Sequence, residues 1–169
     1  IGLLQSIREI PGFLAFTAVF VLLVLKEQSF AYLSLAVLGV GVAISGYFPS
    51  VVGLYLTTFI MSVGFHYYET VKQSLSLQWL SIEEAPAVLG KLIAVASLAS
   101  LVVYGSLWLG QRYFLFSYEW VYFIAGASCF LLAVFMWLAF PRFASVVPQR
   151  THLLLRKRYW LYYALTFMG

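Results

Sequence analysis

A row of polar side chains that could bind a polar molecule or exchange protons runs along one stretch of this chain. Its members are spaced three or four residues apart and are Tyr55, Thr58, Ser62, His66, Glu69 and Gln73. At about 100° of rotation per residue they share a stripe roughly 80° wide on one face of a helix. Hydroxyl, amide and imidazole groups form hydrogen bonds, and His66 with Glu69 adds groups that titrate. We call this row the polar stripe.

The polar stripe is embedded in a long apolar region. From Gln28 to Tyr68 the chain contains no Asp, Glu, Lys or Arg, and only the segment Gly46–Ser50 has the composition of a turn. An apolar helix of about 20 residues crosses a bilayer, and this region is about twice that long. The pattern therefore predicts two membrane-spanning helices joined by a tight reversal.

Further apolar runs predict three more spans. They are Ile10–Leu25, Leu92–Gln111 and Trp120–Phe140. A chain with 63% hydrophobic and 9% charged residues could not cover the surface of a soluble domain with polar groups. Because the runs are continuous rather than alternating in polarity, helices are favoured over a barrel. We expect an all-α, polytopic transmembrane helical bundle over residues 1–140, in a cell (inner) membrane.

The cations predict an orientation, because Lys and Arg near short loops are retained on the cytoplasmic side. With the turn after the first span placed inside, only Arg8 and Arg112 fall outside. Residues 70–90 and 141–158 are the longer, more polar connections. We interpret 141–158 as a basic cytoplasmic linker and 159–169 as the start of a further transmembrane helix.

A second, weaker polar row follows the fourth run, at Ser97, Ser100 and Tyr104. Both rows have two interpretations. They could line a pathway for a solute, or they could serve helix packing, with Glu69 at a solvated helix end paired with Lys72. His66 likewise could carry a proton or act as a neutral hydrogen-bonding group, and it is near enough to Glu69 along the helix to interact with it.

Enzyme signatures are missing from the sequence. The chain has no Asp, no Cys/His metal-ligand spacing, no His-Glu-x-x-His and no phosphate-binding glycine loop. We therefore expect no enzymatic activity, no metal and no cofactor. The basic segment Arg150–Arg158 suits anionic headgroups, so nucleic acid is not required to explain it.

One local motif and the order of the spans carry a family resemblance. Glu83-Glu84-Ala-Pro86-Ala-Val-Leu89-Gly90-Lys91 resembles the entry into the fifth helix of major facilitator superfamily transporters, and Pro86 predicts a helix start near Ala85. The likeness covers nearly the whole chain, as that family's second to sixth helices, the loop between its halves and the start of its seventh. It implies that the polar stripe lies on the fourth helix, which lines the central cavity. Ser29–Ser45 and Trp120–Phe140 would be the peripheral third and sixth helices.

This resemblance implies a secondary active transporter that moves a small solute across the bilayer by alternating access. Its partners would include a first helix and a C-terminal half of the same protein, which this sequence lacks. The alternative is a non-transporting membrane scaffold or sensor whose polar stripe binds another helix. A membrane enzyme ranks third, because its catalytic residues would have to lie outside this segment.

Overall fold

The computed structural model describes residues 2–114, 116–143, 157–161 and 164. Most of the linker expected over 141–158, and most of the helix expected over 159–169, therefore lie outside the described residues. What the structure gives of that region is a short 3-10 turn, Lys157–Tyr159, and isolated helical positions after it.

The described part of the chain is all-helical, as the sequence predicts. In chain order its elements are α1 (Gly2–Phe13), a 3-10 segment (Leu14–Thr17), α2 (Ala18–Leu22), α3 (Glu27–Ser45), α4 (Val51–Trp79), α5 (Ala85–Leu109), a π turn (Gly110–Phe114) and α6 (Tyr118–Ala139). With α1, the 3-10 segment and α2 counted as one, five helices are long and apolar enough to cross a membrane. The described residues thus contain as many helices of sufficient length and hydrophobicity as the sequence predicts spans.

Serine side chains set the starts of several helices. Ser50 accepts a hydrogen bond from the Gly53 N–H at 3.0 Å and caps α4, so the predicted reversal at Gly46–Ser50 is confirmed. Ser117 accepts one from the Trp120 N–H and caps α6. Such caps satisfy N–H groups that have no partner within the first turn of a helix.

Two boundaries differ from the sequence prediction. Helix α4 continues to Trp79, through residues interpreted above as a polar connection. Residues 70–79 contain no Gly or Pro to end the helix, and Ser74 and Gln78 bond to Glu27 at the start of α3. The first span begins at Gly2 instead of Ile10, because α1 accommodates Pro11 within the helix.

Helix α3 is the centre of the bundle, with α4 on one side and α6 on the other, while the first span packs on α4. All of these contacts depend on small residues. A Cβ atom on Gly64 of α4 would lie 2.3 Å from the Leu38 nitrogen, and one on Gly41 of α3 would lie 2.7 Å from the Met61 nitrogen. The backbones of α3 and α4 therefore touch along this seam, which only glycine permits.

The contact between α3 and α6 is equally close. A Cβ atom on Gly126 would lie 2.2 Å from the Ala43 nitrogen, and one on Gly39 would lie 2.6 Å from the Phe130 nitrogen. Farther along, the Cys129 thiol donates to the Leu35 carbonyl at 3.5 Å. The glycines that the sequence shows in the second and fifth spans thus serve helix packing.

The bundle has two distinct ends. Glu27 and Gln28 at the start of α3 meet the last turns of α4 and the residues after α6, and we call this the Lys26 end. At the opposite end, Gly46 lies against the backbone of Glu119. A small buried cluster joins the first span, α3 and α4 in the half nearer the Lys26 end and consists of Ala18, Phe30, Ala31 and Val71.

Helix α5 stands apart from the rest. None of its residues is buried, and among the described residues it makes no extended contact with the other spans. Its alanines and glycines, which suit close helix packing, meet no neighbour there; a Cβ on Gly105, for example, would have nothing within 4 Å.

We predict that Gly126→Ala destabilises the bundle by roughly 1–3 kcal/mol, the usual range for adding a methyl group to a close-packed site. The added Cβ would collide with the backbone of α3. Thermal unfolding of the purified protein in detergent would measure the change. Gly105→Ala is the matched control, and we expect it to be neutral or slightly stabilising; equal loss in both variants would contradict the role given to Gly126.

Candidate functional site

The polar stripe lies on the side of α4 that faces away from α3. Gly64 and Val71 mark the side that packs on α3. At 100° per residue the mean direction of the stripe is about 160° from Gly64. Because α6 lies beyond α3, the stripe is turned away from the whole layer that α3, α4 and α6 form.

Burial varies along the stripe. Thr58 and Ser62 in its first half are buried, with 7% and 3% of their surface exposed. Tyr55 and His66 are partly buried, and Gln73 is exposed near the Lys26 end. The stripe therefore passes from an enclosed region to an open one, and its hydroxyl groups lie in the enclosed part.

His66 is placed against the first span. A Cβ atom on Gly12 would lie 2.8 Å from Cε1 of His66, so the imidazole lies directly on the backbone of α1. The ring of Phe65 meets it nearly edge-on, with the centroids 5.3 Å apart. The neighbours that the structure gives His66 are thus Gly12 and Phe65, where the sequence pointed to Glu69.

Glu69 is paired with Lys72 instead. Its Oε1 lies 2.5 Å from the Lys72 ammonium, and the two side chains are 43% and 47% exposed. An ion pair this exposed contributes little to stability. The sequence analysis named Lys72 as one possible partner of Glu69, and the structure has this pair. The helix end expected there is wrong, because α4 continues to Trp79.

A contact that the sequence analysis missed joins the stripe's helix to the first span. Thr17 and Tyr67 approach with their hydroxyl oxygens 2.6 Å apart. Because the Thr17 hydroxyl donates its proton to the Leu14 carbonyl at 2.7 Å, Tyr67 must be the donor to Thr17. Tyr67 also packs against Phe30 of α3, with ring centroids 5.5 Å apart, and so connects three spans.

The Thr17–Tyr67 contact lies where the first span is irregular. Leu14–Thr17 form a 3-10 segment between α1 and α2, just after Pro11 and Gly12. Such irregular segments inside helices often mark hinges, and interrupted spans form the binding sites of many transporters. The sequence signals that could have indicated it are the Pro11-Gly12 pair and a threonine within an apolar run.

The second polar row is not brought to the first. Ser97 and Ser100 bond to carbonyls of their own helix, Ile93 and Ala96, both at 2.9 Å. Tyr104 is 68% exposed. Since α5 has no extended contact with α4 in the described residues, a site shared by both rows stays a prediction.

The described residues contain no group of three or more His, Cys, Asp or Glu side chains that could hold a metal ion. The arrangement can therefore offer hydrogen bonds along the stripe, a histidine at the first span and an ion pair near the Lys26 end.

Comparison of the chain with protein-family models, curated proteins and solved structures finds no match. The class that the fold defines is a helical protein whose spans are compatible with an integral membrane protein.

We predict that Tyr67→Phe and Thr17→Val each destabilise the bundle and that the two changes are not additive. A hydrogen bond between membrane helices contributes about 0.6 kcal/mol on average and up to about 1.7, so the coupling energy should fall in this range. A double-mutant cycle on unfolding in detergent measures it. Tyr68→Phe paired with Thr17→Val should show no coupling; additive effects for Tyr67 and Thr17 would contradict the contact.

Proposed function

We propose that this protein is part of a secondary active transporter of the major facilitator type, which moves a small polar or amphipathic solute by alternating access. The observation that carries the proposal is the direction of the polar stripe. It faces away from the glycine-packed layer of α3, α4 and α6 and meets the first span at Gly12.

The free-energy cost of placing an ionisable side chain in hydrocarbon argues against contact between the polar stripe and lipid. Even on the gentlest scale, an ionisable group that faces hydrocarbon at the centre of a span costs about 2.5–3.5 kcal/mol. The polar stripe must therefore face water, a solute or another helix. In the structure the first span covers part of the stripe, since Thr58 and Ser62 are buried and α1 packs on α4. The stripe is open at Gln73, near the Lys26 end. In this proposal the first span and the stripe together line one side of the pathway.

The depth of the stripe suits a central site. Ser62 is about 17 Å along α4 from Val51 at 1.5 Å per residue, close to the middle of a hydrocarbon core about 30 Å thick. Transporters bind substrate near this midplane, where their two halves meet. In this proposal Tyr55, Thr58, Ser62 and His66 bind the solute, while Glu69 and Gln73 lie toward the open end.

A scaffold or sensor remains the second candidate because of α5. An apolar helix with no buried residue is available to bind a helix of another protein. That function predicts association without movement of a solute, and the following measurements separate it from transport.

We predict that Ser62→Ala and His66→Ala each lower solute uptake about tenfold, the effect of losing one well-formed hydrogen bond to a bound solute. Uptake by the full-length protein in proteoliposomes would be screened over a panel of radiolabelled small polar solutes, with proton and sodium gradients. Ile60→Ala on another side of α4 is the control, normalised to folded protein. Equal losses in all three variants would contradict the pathway.

Water access gives a readout that needs no known substrate. Ser62 is enclosed in this structure, and alternating access would expose it in another state of the cycle. In a Cys129→Ala background, Ser62→Cys should therefore react slowly, and faster during transport, with a hydrophilic, membrane-impermeant maleimide in intact vesicles. Leu56→Cys, whose parent side chain is 60% exposed on another side of α4, should not react because it faces lipid. Failure to label Ser62→Cys in any condition would favour the scaffold.

A further inference from the structure

A small pocket at the Lys26 end lies between α3, α4 and α6. Its volume is about 120 Å³, and most of its lining is apolar. Its main lining residues are Gln28, Tyr32, Tyr68, Lys72, Trp79 and Phe140. The floor comes from α3, and the last turns of α4 and α6 form the walls.

The pocket is separate from the polar stripe. Tyr68, Lys72 and Trp79 point on average about 60° from Gly64 around α4, and the stripe about 160° from it. The two surfaces therefore lie about 100° apart on the same helix. What binds in the pocket need not be the transported solute, so the inference below does not depend on the proposed function.

The depth of the pocket matches a membrane surface. Lys72 is about 31 Å along α4 from Val51, close to the full thickness of a hydrocarbon core of about 30 Å. Trp79 lies a further two turns out. An occupant of the pocket would thus have one end among headgroups and the other among acyl chains.

Lys72 gives the pocket its charge, since it is the only charged residue in the lining. Its ammonium lies 5.9 Å from the centroid of the Tyr68 ring and bonds to Glu69. An ammonium has three donors, so a second anion can bind beside Glu69. Lys26 and Arg142 are exposed at the same end of the bundle, but so are Glu83 and Glu84 after α4, and the preference for an anion therefore depends on Lys72 itself.

Tyr32 supplies a second donor from the floor of the pocket. It is 8% exposed, and its hydroxyl oxygen accepts a hydrogen bond from the Gln28 amide at 2.7 Å. The hydroxyl proton is therefore available to an acceptor in the pocket. Gln28 is fixed in turn, because its amide also donates to the Pro141 carbonyl and its oxygen accepts from the Phe143 N–H.

An apolar slot at headgroup depth, with an ammonium at its rim and a buried hydroxyl donor, has the chemistry of a lipid site. We propose that this pocket binds one anionic phospholipid. Its phosphate lies in the pocket between Lys72 and Tyr32, and its acyl chains leave the pocket past Tyr68 and Met136 toward the bilayer centre. The distribution of Lys and Arg along the sequence predicts that the Lys26 end is cytoplasmic, so we expect the lipid to come from the cytoplasmic leaflet.

Native mass spectrometry of the purified full-length protein would test the site, with palmitoyl-oleoyl phosphatidylglycerol compared with the zwitterionic phosphatidylcholine of the same chains. We expect preferential binding of one phosphatidylglycerol molecule. Lys72→Gln should weaken that binding about fivefold, the effect of one cation near a headgroup. Tyr32→Phe should also weaken it, and Lys72→Arg should retain it.

The matched control is Lys91→Gln, which removes the same charge from an exposed position on α5, and it should leave the affinity unchanged. Circular dichroism of each variant would establish that it is folded. Equal binding of the two lipids, or equal loss in the Lys72 and Lys91 variants, would overturn the site. Inorganic phosphate should not displace the lipid at millimolar concentration; displacement would assign the pocket to a soluble anion and refute the lipid.

Discussion

Close contact between helix backbones is the constraint on which the rest of this structure depends. In a bilayer the hydrophobic effect does not drive one apolar helix onto another, because lipid chains are as apolar as side chains. Helices associate instead through close van der Waals contact, and glycine allows the shortest approach. Gly41 and Gly64 bring α3 onto α4, and Gly39 and Gly126 bring α3 onto α6.

This packing fixes which side of α4 remains for polar groups. With Gly64 and Val71 directed at α3, the polar stripe has to point away from the layer. The first span packs against the stripe itself at His66, whose ring Gly12 accommodates, and beside the stripe at Tyr67, which donates to Thr17. A bend in the first span at its 3-10 segment would therefore shift Gly12 relative to the His66 ring. The shape of the first span and the position of this site residue are coupled in this way.

The Lys26 end is held together by different forces. There side-chain amides and carboxylates at the helix ends take the place of glycine contacts. Glu27 binds the last turns of α4, and Gln28 binds the backbone that follows α6. These bonds position the wall residues of the pocket, so the proposed lipid site depends on the same contacts that close the bundle.

The sequence by itself determined the all-helical class, the five spans, the turn at Gly46–Ser50 and the polar stripe, because span length and helical periodicity are local properties of the chain. It offered both His66 and Lys72 as partners of Glu69, since each is three residues away, and the structure has the pair with Lys72. Only the tertiary structure decided that His66 lies on Gly12, that Tyr67 bonds Thr17 and that Gln28 holds the chain after α6. These contacts join residues far apart in sequence, and their geometry follows from how closely glycine lets the helices approach.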